Sequence, residues 1–498
     1  MDCLAIMRRF SFIVLLLAAT VTGPILLRRE NGLARAGKSD DRLVIITPHS
    51  NTIRTEFGEA FARHWQAKAG RSLYIDWRVP GGASEIRRVL DSSYAAAASL
   101  GNKGAGIDVF FGGGSPEFAN QASKGRLEPL EVFATNPEWF QEEVIPAEFT
   151  GEIYYDKDRR WVGVCLFQLG ICYNRDVLAR LGMPEPQRWE DLGDPAYAGN
   201  LAFADPTKSG SVGIALEMML QEQMQDVLRE RGDSPEAREE GWRRGLNLLQ
   251  KLAANARYFT DSASQVPYDV AQGDAAAGTC IDYYGRSFEE KLRNSQGGPR
   301  LRWIAPRGGS SVSVDPVAVL SGAPRPDIAQ EFVRFCLSDE GQLLWNLKLG
   351  EPGGPRNSAL RRLPVRRNLY APEHLRRFSD PDAMPYERDD KFVYRKGLTG
   401  GSLQVITAIF RAMCMDPHGE MKSAWMAMNQ TSRSPESSLA GGIFFDVSHV
   451  SYARMNELVP LFAGNQASLA RREMTAVSAI FRKNYLQARD IATKERNP

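Results

Sequence analysis

The alternation of apolar and polar positions divides most of the chain into strands and helices. Residues 43–47, LVIIT, form an apolar run of β-branched side chains and predict a strand buried on both faces. After it, Ile53, Phe57, Phe61 and Trp65 recur at helical spacing, so a helix with one apolar face follows. SLYIDWRV (72–79) predicts a second strand. Pro80-Gly81-Gly82 then turns the chain, and Ser84 is expected to cap the helix SEIRRVL. IDVFF (107–111) predicts a third strand, ended by Gly112-Gly113-Gly114, with Ser115-Pro116 opening the next helix. Strands alternating with helices in this order predict a parallel α/β sheet, whose ligands collect at the carboxyl ends of its strands.

WVGVCLFQLGICYN (161–174) is a longer apolar run, read as a first crossing between two lobes. Residues 201–305 predict a second α/β unit containing the polar helix QEQMQDVLRERG and the amphipathic WRRGLNLLQKLAANA. SSVSVDPVAVLSGA (310–323) reads as the return crossing. Two crossings make a hinge, and a hinge between α/β lobes makes a cleft. The expected divisions are an export segment or anchor over 1–36, a first lobe over 42–160 and a second over 161–309. A return to the first lobe follows over 310–360, and a helical region packed on the lobes over 361–498. Within the last region 403–428 and 468–493 read as helices.

The stretch that organises the chain is DPTKSGSVG, Asp205 to Gly213, followed by an apolar helical run. Pro206 and Gly210 break the backbone, and Ser209 or Ser211 is placed to cap the helix. Its free N–H groups and positive dipole end then face the loop, which makes an anion site. Upstream, Tyr173-Asn174, Trp189-Glu190-Asp191-Leu192, Pro195, Tyr197 and Gly199 lead into Asp-Pro…Ser-Gly-Ser. Downstream, Asp315-Pro316 leads into APRPDIAQEFVRFCLSDEGQLLWN. In this order the segments resemble bacterial extracellular solute-binding proteins of ABC importers, in their ferric-ion and phosphosugar-binding branch, from about Arg42 to about Pro355. The resemblance implies a two-lobed type II periplasmic-binding-protein fold with a helical C-terminal extension. It also implies capture of a ferric ion or small anionic solute in the interlobe cleft, and delivery to a membrane permease.

Tyr283-Tyr284 lie where the resemblance implies paired tyrosines that coordinate iron, and His49 where it implies a histidine ligand. Phenolates are hard anionic donors suited to Fe(III). Iron binders of this family carry an acidic ligand just after the strand read here as IDVFF, whereas this chain has Gly112-Gly113-Gly114. A glycine run offers N–H groups, which suit oxyanions better. Asp282 and Arg286 flank the tyrosines: Arg286 has the fork geometry to clamp phosphate or carboxylate, and Asp282 would balance a cation or accept from sugar hydroxyls. The candidate site is therefore His49, Ser84, Gly113, Gly114, Ser209, Gly210, Ser211, Asp282, Tyr283, Tyr284 and Arg286. Iron and an organic anion both remain open as ligand.

Sixty-two basic and 60 acidic residues leave no basic excess of the kind nucleic-acid binding requires. Arg8-Arg9, a long apolar run and Ala34-Arg35-Ala36 read as a cleavable export signal, with an uncleaved anchor as the alternative. Cys165, Cys172, Cys280, Cys336 and Cys414 have no C-x-x-C pair and read as buried free thiols. Cys165 and Cys172 are expected on opposite faces of one continuous strand. Neither a G-x-S-x-G elbow nor H-E-x-x-H occurs, so the expectation is a monomeric binding protein and not an enzyme. The alternatives are a secreted hydrolase or transferase on the same scaffold, and a tethered sensor.

Overall fold

A computed structural model describes residues 39–292, 298–387, 392–431, 434–463 and 467–496. The expected export segment, residues 1–36, lies outside the described residues.

Two mixed sheets form the frame. The first takes β1 (Asp41–Ile46), β2 (Leu73–Arg78), β3 (Val109–Phe111), β6 (Val162–Phe167), β12 (Ser313–Val319) and β13 (Leu363–Pro364), in the order β13-β6-β12-β3-β1-β2. The second takes β7 (Leu169–Asn174), β8 (Leu201–Ala204), β9 (Ala256–Thr260), β10 (Ala277–Ile281) and β11 (Leu301–Ile304), in the order β11-β7-β10-β8-β9. A small hairpin, β4 (Glu148–Phe149) and β5 (Glu152–Ile153), stands apart. β1 pairs in parallel with β2 and β3, as do β8 and β9, and β8 and β10. The strands next to the crossings run antiparallel, which is why neither sheet is purely parallel.

The run 161–174 is two strands and not one. It breaks at Gln168, where the chain leaves the first sheet for the second, so Cys165 and Cys172 sit in different sheets. The five described cysteines are free and buried. On the first sheet, α1 (Asn51–Ala69) buries the predicted face, with Phe57 packed on Phe111 and Trp345 at centroid distances of 5.6 and 4.2 Å. α2 (Ala83–Ser99), α3 (Ser115–Ser123) and α9 (Pro326–Leu337) complete this lobe. The second sheet carries α4 (Arg175–Leu181), α5 (Gly210–Arg231), α6 (Pro235–Asn255), α7 (Gln265–Gln272) and α8 (Asp282–Lys291).

The boundary expected at 360 does not hold as a division. β13 pairs with β6, and Leu363, Val365 and Tyr370 belong to the first lobe's core. Apart from short turns at Arg367–Tyr370 and Pro372–Leu375, the helices of this region lie beyond the chain's third passage between lobes: α10 (Leu403–Phe410), α11 (His418–Met428), α12 (Leu439–Phe444), α13 (Tyr452–Ala463) and α14 (Ala467–Arg496). Their apolar faces share one core with the second lobe. Trp242 Nε1 donates to the Val450 carbonyl at 2.8 Å, and Gln250 Nε2 to the Phe444 carbonyl at 2.8 Å, which fastens α6 between sheet and helices. No helix of the described residues is long and apolar enough to cross a membrane.

The third passage is a strap laid on α5. The polar residues of that helix bind it: Gln225 Nε2 donates to the Val393 carbonyl (2.9 Å) and Gln221 Nε2 to Thr399 Oγ1 (2.7 Å). Glu217 accepts from Tyr394 Oη (2.8 Å) and Thr399 Oγ1 (2.6 Å) with no cation beside it among the described residues, and burial raises its pKa to about 7 from 4.5. Between those values the folded protein holds a proton that the unfolded chain has lost, so stability falls as pH rises from 4.5 to 7 and is level above. The expected loss is on the order of 2–3 kcal/mol. Thermal unfolding between pH 4.5 and 8 checks this: Glu217→Gln should flatten the slope and raise Tm at pH 8.

Candidate functional site

A cleft of about 260 Å³ opens between the lobes, walled by His49, Gly113 and Arg362 on one side and by Ser209, Ser211 and Tyr284 on the other. Gly114, Gly210 and Tyr283 line it too.

α5 begins at Gly210 with Ser209 as N-cap. Ser209 makes no side-chain capping bond; its hydroxyl meets that of Ser211 at 3.1 Å. The N–H groups of Gly210 and Ser211 have no acceptor among the described residues, and the Gly213 N–H takes the Ser209 carbonyl at 3.1 Å. The positive end of α5 therefore opens into the cleft. Facing it is the start of α2, capped by Gly82. Ser84, expected as cap, is the second residue of that helix and does not line the cleft, because the cap falls two residues earlier, at Gly82.

The glycine triplet holds a different partner from the one expected. Gly113 and Gly114 N–H donate to Asp315 Oδ1 at 3.1 and 3.0 Å, and Gly112 N–H to the Pro316 carbonyl at 2.7 Å. Their donors are spent within the protein, so they shape the wall and offer a ligand no N–H. β12 shifts register between Asp315 and Pro316, a bulge that turns the carboxylate toward the cleft. Burial works against its charge, yet Arg362 and these N–H groups hold its pKa below the usual carboxylate range.

Arg362 is the residue that sequence reasoning missed. It is 2% exposed, and its Nη2 meets Asp315 Oδ2 at 2.6 Å while Nε has no hydrogen-bond partner. The guanidinium lies 4.7 Å over the Tyr283 ring. Glu56 places it from upstream by accepting the N–H groups of Arg356, Asn357 and Ser358 at 2.6–2.8 Å, and β13 places it from downstream. Its stretch is basic and interrupted by prolines; the apolar Leu360, Leu363 and Val365 woven through it were the available signal.

Tyr283 and Tyr284 occupy the first turn of α8, since the strand ends at Ile281. Successive residues there diverge by about 100° rather than 180°, so both rings reach the cleft, with centroids 4.2 Å apart. Burial raises both phenols, Tyr283 well above its ordinary value. Asp282 and Arg286 do not join them: Asp282 is fully buried, caps the Tyr283 N–H at 2.8 Å and pairs with Arg286, which lines a separate groove. Their charges answer each other one helical turn apart. His49 does line the cleft, but its Nε2 is buried against Gly112 without a partner, and burial pushes its pKa down to about 3, leaving it neutral.

The sequence pattern of the bacterial extracellular solute-binding proteins matches residues 105–364. An uncharacterized protein of Haemophilus influenzae is 28% identical over 320 residues, 63% of this chain and 79% of that protein. The phosphoglycerate transport regulatory protein PgtC of Salmonella typhimurium is 29% identical over 182 residues, 36% of this chain and 39% of PgtC. The solved structure of the periplasmic binding protein P5PA superposes with a TM-score of 0.51 at 18% identity, covering 74% of this chain and 98% of that one, which shows a common fold. With two sheets joined by crossings around one cleft, and a family match over more than half its length, the chain belongs to the bacterial extracellular solute-binding proteins.

Proposed function

We propose that the protein captures a small phosphorylated or carboxylated organic solute in this cleft and delivers it, as a monomer, to an ABC-type membrane permease. The observation that carries this reading is Arg362: a buried guanidinium with an unpartnered Nε, facing the free N–H groups of Gly210 and Ser211. Two helix starts and a guanidinium supply positive potential and donors, which is what an oxyanion needs. The Tyr283 and Tyr284 rings offer an apolar wall for the rest of the ligand. The name of PgtC, a phosphoglycerate transport regulatory protein matched over 39% of its length, agrees with this class.

A trivalent iron would meet the same positive potential. Asp315, the carboxylate in the cleft, is already engaged by Arg362 and two N–H groups. Among the described residues no group of three or more His, Cys, Asp or Glu side chains is placed to hold a metal. The tyrosine pair is the feature that favours iron, and titration with a ferric chelate against a phosphorylated sugar separates the two readings. Among the described residues no hydrogen bond joins His49 to Ser209 or Ser211, so these three residues do not form a nucleophile–base pair.

Replacing Ser211 by alanine removes a hydroxyl beside the open helix end. Calorimetric titration with a phosphorylated sugar should show affinity reduced about 5- to 10-fold. Unchanged affinity would place the anion elsewhere. Export stands with this reading: the mature protein is expected to begin after Ala36, which N-terminal sequencing of the native protein checks.

A further inference from the structure

The interlobe crossings separate two cavities. Phe167 and Arg362 line the ligand cleft, whereas their chain neighbours Gln168 and Arg361 line a larger groove of about 1070 Å³. A chain of charges crosses that groove. From the second lobe, α8 contributes Asp282, Arg286 and Glu290; from the first come Arg361 and Asp380. Asp282 pairs with Arg286, whose Nε lies 3.9 Å from Asp380 Oδ1; Asp380 Oδ1 accepts from Arg361 Nη2 at 2.6 Å; Arg361 Nη1 reaches Glu290. Arg286, Asp380 and Arg361 are 12, 6 and 11% exposed, so water screens little of the contacts among them, whereas Glu290 sits at the solvent edge of the network. Arg361 also has φ +55°, a region that L residues seldom enter and that the surroundings must enforce.

We propose that this network is a latch across the back of the hinge that sets the angle between the lobes in the ligand-free protein. Arg361 and Arg362 are consecutive, so the strained residue that holds the latch also aims the cation that faces the ligand. α8 joins the two cavities in the same way, with Tyr283 and Tyr284 at its cleft end and Glu290 at its groove end. Two ion pairs reach from one lobe to the other, Arg286 to Asp380 and Arg361 to Glu290, so rotation of the lobes must stretch both. The inference rests on the two-lobed architecture and on no particular ligand.

The test needs no ligand. Spin labels at Ser123→Cys on α3 and Ala179→Cys on α4, both exposed, report the interlobe distance by pulsed electron resonance; the five native cysteines among the described residues are buried, and Cys3 is replaced by serine in all the labelled proteins. A narrow distribution is expected for the otherwise unaltered protein. Glu290→Arg, at a 61% exposed position that folding tolerates, should broaden it or shift it by several ångström, as should Arg361→Gln. Distributions that superpose on the parent in both variants overturn the latch. A change confined to Arg361→Gln overturns it as well, because the cross-lobe pair with Glu290 would then carry nothing.

Discussion

Glutamine in place of Arg362 is expected to abolish useful ligand capture. The substitution keeps a donor of similar reach but removes the charge and the second hydrogen-bonding edge of the guanidinium. A charge-assisted hydrogen bond to a bound anion is worth about 2 to 3 kcal/mol, so Kd should rise roughly 30- to 150-fold. Stability falls too, because Asp315 stays buried with two N–H partners and no cation; breaking a buried pair in this way costs about 3 kcal/mol. Arg362→Lys separates the two effects. It retains the charge beside Asp315 but presents a single ammonium, so most of the stability should return while affinity recovers only in part. Calorimetric titration and thermal unfolding on both variants read the two quantities independently. Arg362→Gln binding a phosphorylated sugar as tightly as the parent would show that the guanidinium serves the fold alone.

Alanine at Gly112 is expected to disturb the cleft from its floor. Gly112 has φ +80°, and a Cβ there would lie 2.4 Å from His49 Nε2 and 2.6 Å from Cε1. The left-handed backbone costs about 1–2 kcal/mol for a non-glycine residue, and overpacking a buried imidazole adds about 1–3 kcal/mol. Gly125→Ala is the control: φ is +67° there too, but nothing lies within 4 Å of the added carbon, so only the backbone cost applies. Chemical denaturation should therefore rank Gly112→Ala below Gly125→Ala in stability, and the displaced His49 should weaken ligand binding in the first variant only. Equal losses in the two would mean that His49 has room to move aside.

The two-lobed fold was legible because its signals are local. β-branched runs, helical spacing on Phe57 and Phe61, and the turn at Gly81-Gly82 each follow from a few neighbouring residues. The Ser-Gly-Ser helix start was legible for the same reason. What escaped depends on partners far along the chain. The glycine triplet looked free to bind an anion because nothing local shows Asp315, about two hundred residues on, occupying two of its N–H groups. Arg362 looked like one basic residue among many until β13 placed it in the first sheet beside β6. Gln221 and Gln225 read only as part of a polar helix because their partners, Thr399 and Val393, belong to the strap. Asp282 and Arg286 flank the tyrosines in sequence, but one helical turn aims them at each other.

The tyrosine pair leaves one question on which the account turns, the sign of the ligand's charge. Titration of the purified protein, stripped of bound solute, with a phosphorylated sugar and separately with a ferric chelate tests it most directly. Saturable heat with the phosphorylated sugar that Arg362→Gln removes is expected, with no visible absorbance on adding the ferric chelate. A tyrosinate-to-iron charge-transfer band that disappears in Tyr284→Phe, with no heat from the phosphorylated sugar, would contradict it.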